Sequence, residues 1–211
     1  MEISTEKIEG CNSLSDLGKL VEKCERCPLF KYKNSDVFGE GNSKAEVMFI
    51  GEAPGREEDM EGRPFIGKAG KILSEMLAEI GLNRQNIYIA NVLKHRPPQN
   101  RDPFSEEAIA CWPYLKRQIE LINPKLIVFL GRHAMNRFFP TLLISRVHGR
   151  AFRKSFDGRK QVFLALYHPA VTIYNNKMRE TLFNEFKRIP KIIEKIKNEE
   201  ALKPLKQEKL F

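Results

Sequence analysis

The chain has 211 residues, 42% of them hydrophobic, and carries a formal net charge of +9. This composition suits the core of one α/β domain, and no apolar run approaches the roughly 20 residues that a membrane span needs. Residues 1–6 are polar and acidic, unlike a secretory signal, so we expect a cytoplasmic protein. The positive charge favours a polyanionic partner such as nucleic acid and a solvated lysine- and glutamate-rich surface about equally.

Helical and extended patterns alternate along the chain, which predicts an α/β fold. More closely, they predict a three-layer α/β/α sandwich around a central, mostly parallel four-stranded sheet. A single domain would cover residues 1–198, and a flexible basic tail would cover residues 199–211. The predicted elements are a helix at 13–27, a strand at 46–51, a helix at 67–81, a strand at 86–90, a helix at 105–122 with Ser105 as N-cap, a strand at 126–130, a short helix at 132–139, a hairpin at 151–167 turning at Asp157 and Gly158, and a helix at 178–198.

Two loops carry most of the polar groups that could form a site. Residues 51–67 (GEAPGREEDMEGRPFIG) follow the first predicted strand, and residues 168–170 (HPA) follow the second arm of the hairpin. Parallel strands would bring both loops to the same sheet edge, where α/β proteins place their sites. Backbone N–H groups, carboxylates, an aromatic ring and a histidine would meet there. This set suits a planar polar ligand on which negative charge develops.

The four cysteines indicate metal or redox chemistry rather than disulfides in a cytoplasmic chain. Cys24 and Cys27 form a C-x-x-C pair at the end of the first predicted helix, and thiolates and imidazoles are ligands of iron–sulfur clusters and zinc. A redox C-x-x-C with an ordinary core Cys111 is the alternative. Cys11 would lie about 18 Å from Cys24 along a helix, so His95 is the preferred fourth ligand. The predicted metal ligands are therefore Cys24, Cys27, His95 and Cys111.

Four motifs follow the cysteine pair in a fixed order: residues 51–55 (GEAPG), 62–67 (GRPFIG), 91–94 (NVLK) and 168–170 (HPA). Together they resemble the family 4, iron–sulfur uracil-DNA glycosylases over about residues 20–195. The resemblance implies a monofunctional enzyme that hydrolyses the N-glycosidic bond of deoxyuridine in DNA and starts base-excision repair. It also implies a [4Fe-4S] cluster with a structural role, held by four cysteines.

One residue departs from that family, because His95 stands where a cysteine is expected. The X-type relatives, which bind DNA covalently, have a Lys-His pair similar to Lys94-His95, so a cluster held by three cysteines and a histidine is consistent with the resemblance. Those relatives also carry a basic insertion with an additional histidine, which the short segment from Arg96 to Cys111 lacks. We therefore expect an enzyme that turns over. A non-catalytic or covalent binder of uracil-containing DNA is the alternative, and a phosphate-handling hydrolase is disfavoured because no Gly-Lys-Ser/Thr follows Gly55.

Three residues have the chemistry to bind a flipped uracil, which must leave the helix and then depart as an anion. Phe65 is the expected stacking ring, and the carboxamide of Asn91 can match the N3–H and O4 edge of uracil. His168 is expected to donate to O2 as negative charge develops. Each has a structural alternative: core packing for Phe65, a turn cap for Asn91, and packing against Pro169 for His168.

The acidic residues of the first loop are candidates for handling water. Glu52, a predicted catalytic residue, and Glu58, a predicted substrate-binding residue, could orient the attacking water or stabilise an oxocarbenium-like sugar. The backbone N–H of Ala53 could be a second donor to the leaving base. Other glycosylase families place a water-activating aspartate at the position of Ala53, so the general base is left open.

Basic residues near both loops are expected to contact the DNA backbone. Lys68 and Lys71 begin a predicted helix, where N–H groups favour phosphate, and Lys177 and Arg179 follow the His168 loop. Residues 171–174 could wedge into the space left by the flipped base. The last residues resemble a Gln-x-x-Leu-Phe peptide that docks on bacterial sliding clamps, through Gln207, Leu210 and Phe211. A helix end that folds back on the core is an equal alternative, and we expect a monomer.

Overall fold

A six-stranded sheet runs through the centre of this computed structural model, which describes residues 3–201. The spatial order of the strands is β1-β3-β2-β4-β6-β5. The inner four pair in parallel, whereas β1 and β5 are antiparallel edge strands. The strands are β1 (Glu40–Gly41), β2 (Val47–Gly51), β3 (Tyr88–Asn91), β4 (Leu126–Leu130), β5 (Ala151–Phe156) and β6 (Arg159–Leu166).

Helices cover both faces of the sheet, which confirms the three-layer prediction. None of the helices in the described range is long and apolar enough to cross a membrane. Short 3₁₀ turns occur at Pro28–Lys31 and Pro98–Asn100. The α-helices of the described range are α1 (Thr5–Glu9), α2 (Leu14–Glu22), α3 (Arg56–Glu61), α4 (Lys68–Glu79), α5 (Ser105–Ile122), α6 (Arg132–Phe138), α7 (Ile144–Val147), α8 (Val171–Tyr174), α9 (Lys177–Phe186) and α10 (Arg188–Ala201).

Successive residues of each inner strand enter opposite cores, as the pleat of a strand requires. Met48 and Ile127 face the core that α5 and α6 cover. Phe49 and Val128 face the core that α4, α9 and α10 cover. Because both faces are buried, these strands read as continuous apolar runs rather than alternating ones.

The four inner strands are those that the sequence predicts, and the hairpin of β5 and β6 is also confirmed. The short strand β1 is not foreseen, because two residues carry no periodic pattern. The predicted N-cap Ser105 is instead the first residue of α5. Phe104 occupies the cap position, and its N–H donates to the Glu107 carboxylate at 2.9 Å.

The predicted last helix is two helices, α9 and α10, which meet at Lys187. Pro190 has no N–H with which to bond the carbonyl of Phe186, four residues earlier, and its ring crowds that carbonyl. The helix therefore breaks immediately after Phe186. The second helix continues through Ala201, three residues beyond the predicted end at 198. The remaining tail, including Gln207, Leu210 and Phe211, lies outside the described residues.

The carboxyl ends of the parallel strands lie at one sheet edge and position the candidate site. The loops after β2, β3, β4 and β6 begin there with Glu52, Val92, Gly131 and Tyr167. Backbone hydrogen bonds join these loops directly: Val92 N–H donates to Gly51 O at 2.9 Å, and Gly131 N–H donates to Leu166 O at 2.8 Å.

Candidate active site

The rings of Phe65 and His168 lie next to each other, although 103 positions separate them in the chain. Their centroids are 5.5 Å apart and their planes differ by 30°. The two loops therefore meet as the sequence predicts. A ring face and an imidazole are within reach of one small ligand.

Asn91 ends β3 beside this pair. A Cβ on Gly51 would come within 2.5 Å of the Phe65 ring and closer still to Asn91 Oδ1, so glycine is required for the two side chains to meet there. Asn91 is only 1% exposed, and its Oδ1 has no hydrogen-bond partner among the described residues. A buried acceptor without a partner costs free energy unless a ligand satisfies it.

Phe65 adopts a left-handed backbone conformation with φ of 54°, which is unusual for a non-glycine residue. Gly70 allows the first turn of α4 to approach, because a Cβ there would overlap the Phe65 carbonyl. Glu58 is buried, and its Oε1 accepts hydrogen bonds from the N–H groups of Ile66 and Gly67, each at 2.9 Å. This carboxylate therefore holds the Phe65 loop, a structural contact beside the substrate-binding role that the sequence predicts.

The hydrogen bonding of His168 fixes which ring nitrogen carries a proton. The backbone N–H of Ala170 donates to His168 Nδ1 at 3.2 Å, so Nδ1 is the acceptor and Nε2 bears the hydrogen. Burial lowers the pKa of His168 to about 4. At neutral pH the ring is therefore an uncharged N–H donor at the site.

Glu52 lies at the end of β2 within a group that the sequence reasoning missed. His133 Nε2 is 3.8 Å from Glu52 Oε2 and 3.3 Å from Asp102 Oδ2, and Arg132 pairs with Asp102 at 2.8 Å. Burial raises the pKa of Glu52, and His133 partly offsets this effect. One ligand atom from each of Glu52, Asp102 and His133 lies within 4.8 Å of the others, but the Arg132 guanidinium opposes a cation there. The position of His133, just after a parallel strand, is the signal that could have identified it.

The four predicted metal ligands, Cys24, Cys27, His95 and Cys111, line a single cavity. All the cysteines are free thiols. Burial raises the pKa of Cys111 to about 12, although nearby Lys94 lowers it, so a thiolate here needs a cationic partner. Tyr114 also lines the cavity, and its buried hydroxyl has no partner among the described residues. These features fit a bound metal group.

His95 is oriented in the manner of a ligand, because Asp36 Oδ1 lies 2.8 Å from its Nε2 and leaves Nδ1 for a metal. Burial alone would raise the pKa of Asp36, but hydrogen bonds from His95 and Lys33 lower it below its usual value. Cys11 does not line the cavity. It packs with Ile8 and Leu17 instead, and its Sγ donates to Lys7 O at 3.5 Å.

Lys94 connects the metal cavity to the end of β3. Its side chain is fully enclosed, and Nζ donates to Asn91 O at 2.8 Å and to Gln118 Oε1 at 2.6 Å. Burial lowers the pKa of Lys94 to about 8, while Cys111 opposes this change. The short segment from Asn91 to His95 thus contributes to both cavities.

The predicted DNA contacts lie on two helices that pack together, α4 and α9. Lys68 and Lys71 are exposed on the first two turns of α4, and Lys177 is exposed at the start of α9. Arg179 pairs with Glu75 across the helices at 2.5 Å. All four side chains therefore belong to one side of the molecule, which also carries Phe65.

Comparison with known proteins identifies the family. The profile of the uracil DNA glycosylase superfamily matches residues 38–190. The type-4 uracil-DNA glycosylase of Archaeoglobus fulgidus is 48% identical over 182 residues, which cover 84% of this chain and 92% of the relative. The type-4 enzyme of Saccharolobus solfataricus is 46% identical, covering 80% and 81% of the two chains, and that of Sulfurisphaera tokodaii is 45% identical, covering 84% of each. The chain therefore belongs to the type-4 uracil-DNA glycosylases of the uracil DNA glycosylase superfamily.

Proposed function

We propose that the protein is a monofunctional uracil-DNA glycosylase that removes uracil from DNA and leaves an abasic site for base-excision repair. The observation that carries this proposal is the meeting of Phe65, Asn91 and His168 around Gly51. A flipped uracil could stack on the ring, pair with the amide and receive a hydrogen bond from the imidazole. Membership of the type-4 glycosylases supports the same activity.

Base choice follows from the donor and acceptor pattern of Asn91. Its unpaired Oδ1 would accept from uracil N3–H, and its Nδ2 would donate to O4. Cytosine presents an acceptor at N3 and a donor at C4, so the same amide would meet a mismatch at both positions. Phe65 would cover the face of either pyrimidine and supply affinity rather than choice.

Bond cleavage leaves negative charge on uracil, which His168 would stabilise through Nε2–H at O2. A single preorganised donor of this kind contributes about 2.7–4 kcal/mol to lowering the barrier. A neutral donor suits the task, since an imidazole with a pKa of about 4 keeps its proton as charge develops. The N–H of Ala53, at the same sheet edge, is the second donor that we propose.

Glu52 is the residue that we propose to face the sugar side of the reaction. A carboxyl with a raised pKa in a partly buried site is suited to accepting a proton from water, and its anion would stabilise an oxocarbenium-like sugar. His133 would keep the carboxylate in place. With Ala53 in the loop, leaving-group stabilisation carries the larger share of catalysis.

An oligonucleotide with one uracil, followed by alkali, tests the activity. We expect free uracil and a strand that breaks at the uracil position only after alkali. A non-catalytic binder would shift the oligonucleotide in a gel without releasing base, and a covalent binder would leave a protein–DNA band that survives denaturation. Either result would contradict the proposal.

We also propose that Cys24, Cys27, His95 and Cys111 hold a [4Fe-4S] cluster. When bound, the cluster would supply a cross-link between the N-terminal segment and the domain rather than redox chemistry. The shared cavity and the His95–Asp36 contact support this ligand set. The named activity of the relatives does not by itself identify the fourth ligand.

Replacing Cys111 with alanine is expected to remove most of the bound iron, to abolish the visible absorption and to lower Tm by several degrees, because a structural metal group contributes directly to folding. Replacing His95 with cysteine should retain the iron. Cys11→Ala is the matched control and should keep both iron and Tm, since its thiol does not line the cavity. Loss of iron from Cys11→Ala, with retention in His95→Ala, would exchange the roles of these two residues.

The lysines of α4 are proposed to bind DNA phosphates. The double variant Lys68→Ala, Lys71→Ala is expected to weaken binding of single-stranded DNA and to reduce the log–log salt slope by roughly 0.7 for each phosphate that the protein no longer neutralises. Lys191 and Lys195 are exposed on α10, so their double alanine variant is the control with equal loss of charge. Equal salt slopes for the two variants would assign the effect to net charge alone.

Ile173 and Tyr174 of α8 are proposed as the wedge. They are 40% and 89% exposed, whereas Thr172 is buried and donates to Pro169 O at 2.9 Å. An exposed aromatic side chain on the short helix that follows the imidazole could enter the stack as the base leaves. Clamp binding through the tail, a monomeric state and a cytoplasmic location stay predictions from the sequence.

A further inference from the structure

The left-handed backbone of Phe65 requires support from its surroundings, because this conformation is strained for an aromatic residue. Glu58 supports the loop after Phe65, through Ile66 and Gly67. The peptide groups of Pro64 and Phe65 themselves point their carbonyl oxygens elsewhere, toward the segment that precedes β3. Their partner there is a single side chain.

Arg84 donates to both of these carbonyls. Its Nη1 lies 2.9 Å from Phe65 O, and its Nη2 lies 2.5 Å from Pro64 O. The planar guanidinium presents fixed, parallel N–H groups, so it can bind two successive carbonyls in a way that a lysine ammonium cannot. Nineteen positions separate Arg84 from Phe65, and no local turn makes this contact.

Glu40 holds the third side of the same guanidinium. Arg84 Nε donates to Glu40 Oε1 at 3.0 Å, and Glu40 Oε2 also pairs with the exposed Arg63 at 2.7 Å. The two-residue strand β1 places this carboxylate, since Glu40 pairs with Ile89 of β3 and Gly41 permits close contact with the backbone of Ile87. Arg84 is thus fixed at Nε by a charge and at both Nη atoms by the Phe65 loop.

We propose that Arg84, oriented by Glu40, is a positioning residue that fixes the Phe65 ring against Asn91 and His168 and thereby sets how tightly the pocket grips a pyrimidine. This inference rests on the proposed uracil-DNA glycosylase activity. Arg84 touches only backbone oxygens of the loop and lies outside the ring contacts. Its effect on the substrate must therefore pass through Phe65.

A double-mutant cycle tests that dependence. The readouts are the inhibition constant of free uracil, which involves the pocket but not the DNA contacts, and kcat/KM on a uracil oligonucleotide. Arg84→Met, which keeps the apolar stem, is expected to raise the inhibition constant roughly tenfold and to lower kcat/KM by up to about 100-fold, as small misplacements of binding groups do. In a Phe65→Ala background the same substitution should change the inhibition constant by less than about twofold.

Two further variants keep the test decisive. If Arg84→Met does not fold, Arg84→Lys keeps the charge but cannot bind both carbonyls, and the same non-additivity with Phe65→Ala is expected. Arg63→Met removes the other partner of Glu40 and should leave the inhibition constant unchanged. Equal effects of the Arg84 change in both backgrounds, or no effect in either, would overturn the inference. Failure of the wild-type protein to release uracil would instead overturn the proposed activity.

Discussion

Replacement of His168 with alanine is expected to slow uracil release by about 100- to 1,000-fold, the usual cost of removing one preorganised donor to a developing anion. The substitution removes the Nε2–H that the Ala170 N–H contact makes available. Binding of uracil-containing DNA should change little, because the donor acts mainly once charge appears on the base. Single-turnover rates and equilibrium binding to the same oligonucleotide measure the two effects separately.

The pH profile distinguishes a neutral donor from a cationic one. Because burial lowers the pKa of His168 to about 4, the wild-type rate should show no His168 step near pH 6.5. Stability has a defined sign as well: the unfolded chain binds the proton more readily, so this contribution is present above pH 6.5 and is lost as pH falls toward 4. The His168→Ala variant should therefore lose less Tm between pH 7 and pH 4.5 than the wild type. Unchanged turnover after the substitution would remove His168 from the mechanism.

Replacement of Asn91 with aspartate is expected to reduce uracil release by roughly 100-fold and to give measurable release of cytosine, since one correct bidentate pair contributes about 1–3 kcal/mol of discrimination. A carboxylate can accept from the cytosine amino group but cannot donate to uracil O4. Single-stranded oligonucleotides with one uracil or one marked cytosine give both rates without the cost of opening a pair.

Asn86→Asp supplies the matched control for that experiment. Asn86 is an exposed amide just before the same strand, at the opposite sheet edge from Asn91. It gains the same charge without entering the pocket. Base choice that is unaltered by Asn91→Asp, or altered equally by Asn86→Asp, would argue against reading of the base by Asn91.

The parts of this molecule that were predictable are those with a local signal. The parallel strands are apolar runs, α5 begins and ends where its pattern does, and the convergence of the Phe65 and His168 loops follows from parallel strands sharing an edge. The shared cavity of the cysteine pair, His95 and Cys111 was also foreseen, whereas their binding of a metal stays a proposal.

The parts that escaped prediction depend on contacts between distant positions. Arg84 and Glu40 are 44 positions apart and lie in a loop and a two-residue strand, neither of which has a periodic pattern. His133 joins Glu52 only because β2 and β4 are neighbours in the sheet. The helix break before Pro190 was readable in principle, since proline affects the carbonyl four residues earlier.

The five residues from Asn91 to His95 have a physiological consequence if iron is held as proposed. The segment reads the base at one end and ligates at the other, and the Lys94 ammonium ties its last turn to the Asn91 carbonyl. Iron starvation or oxidant damage would then loosen the very backbone that distinguishes one pyrimidine from another. Cells short of iron would face a fidelity defect in genome maintenance as well as a shortage of active enzyme.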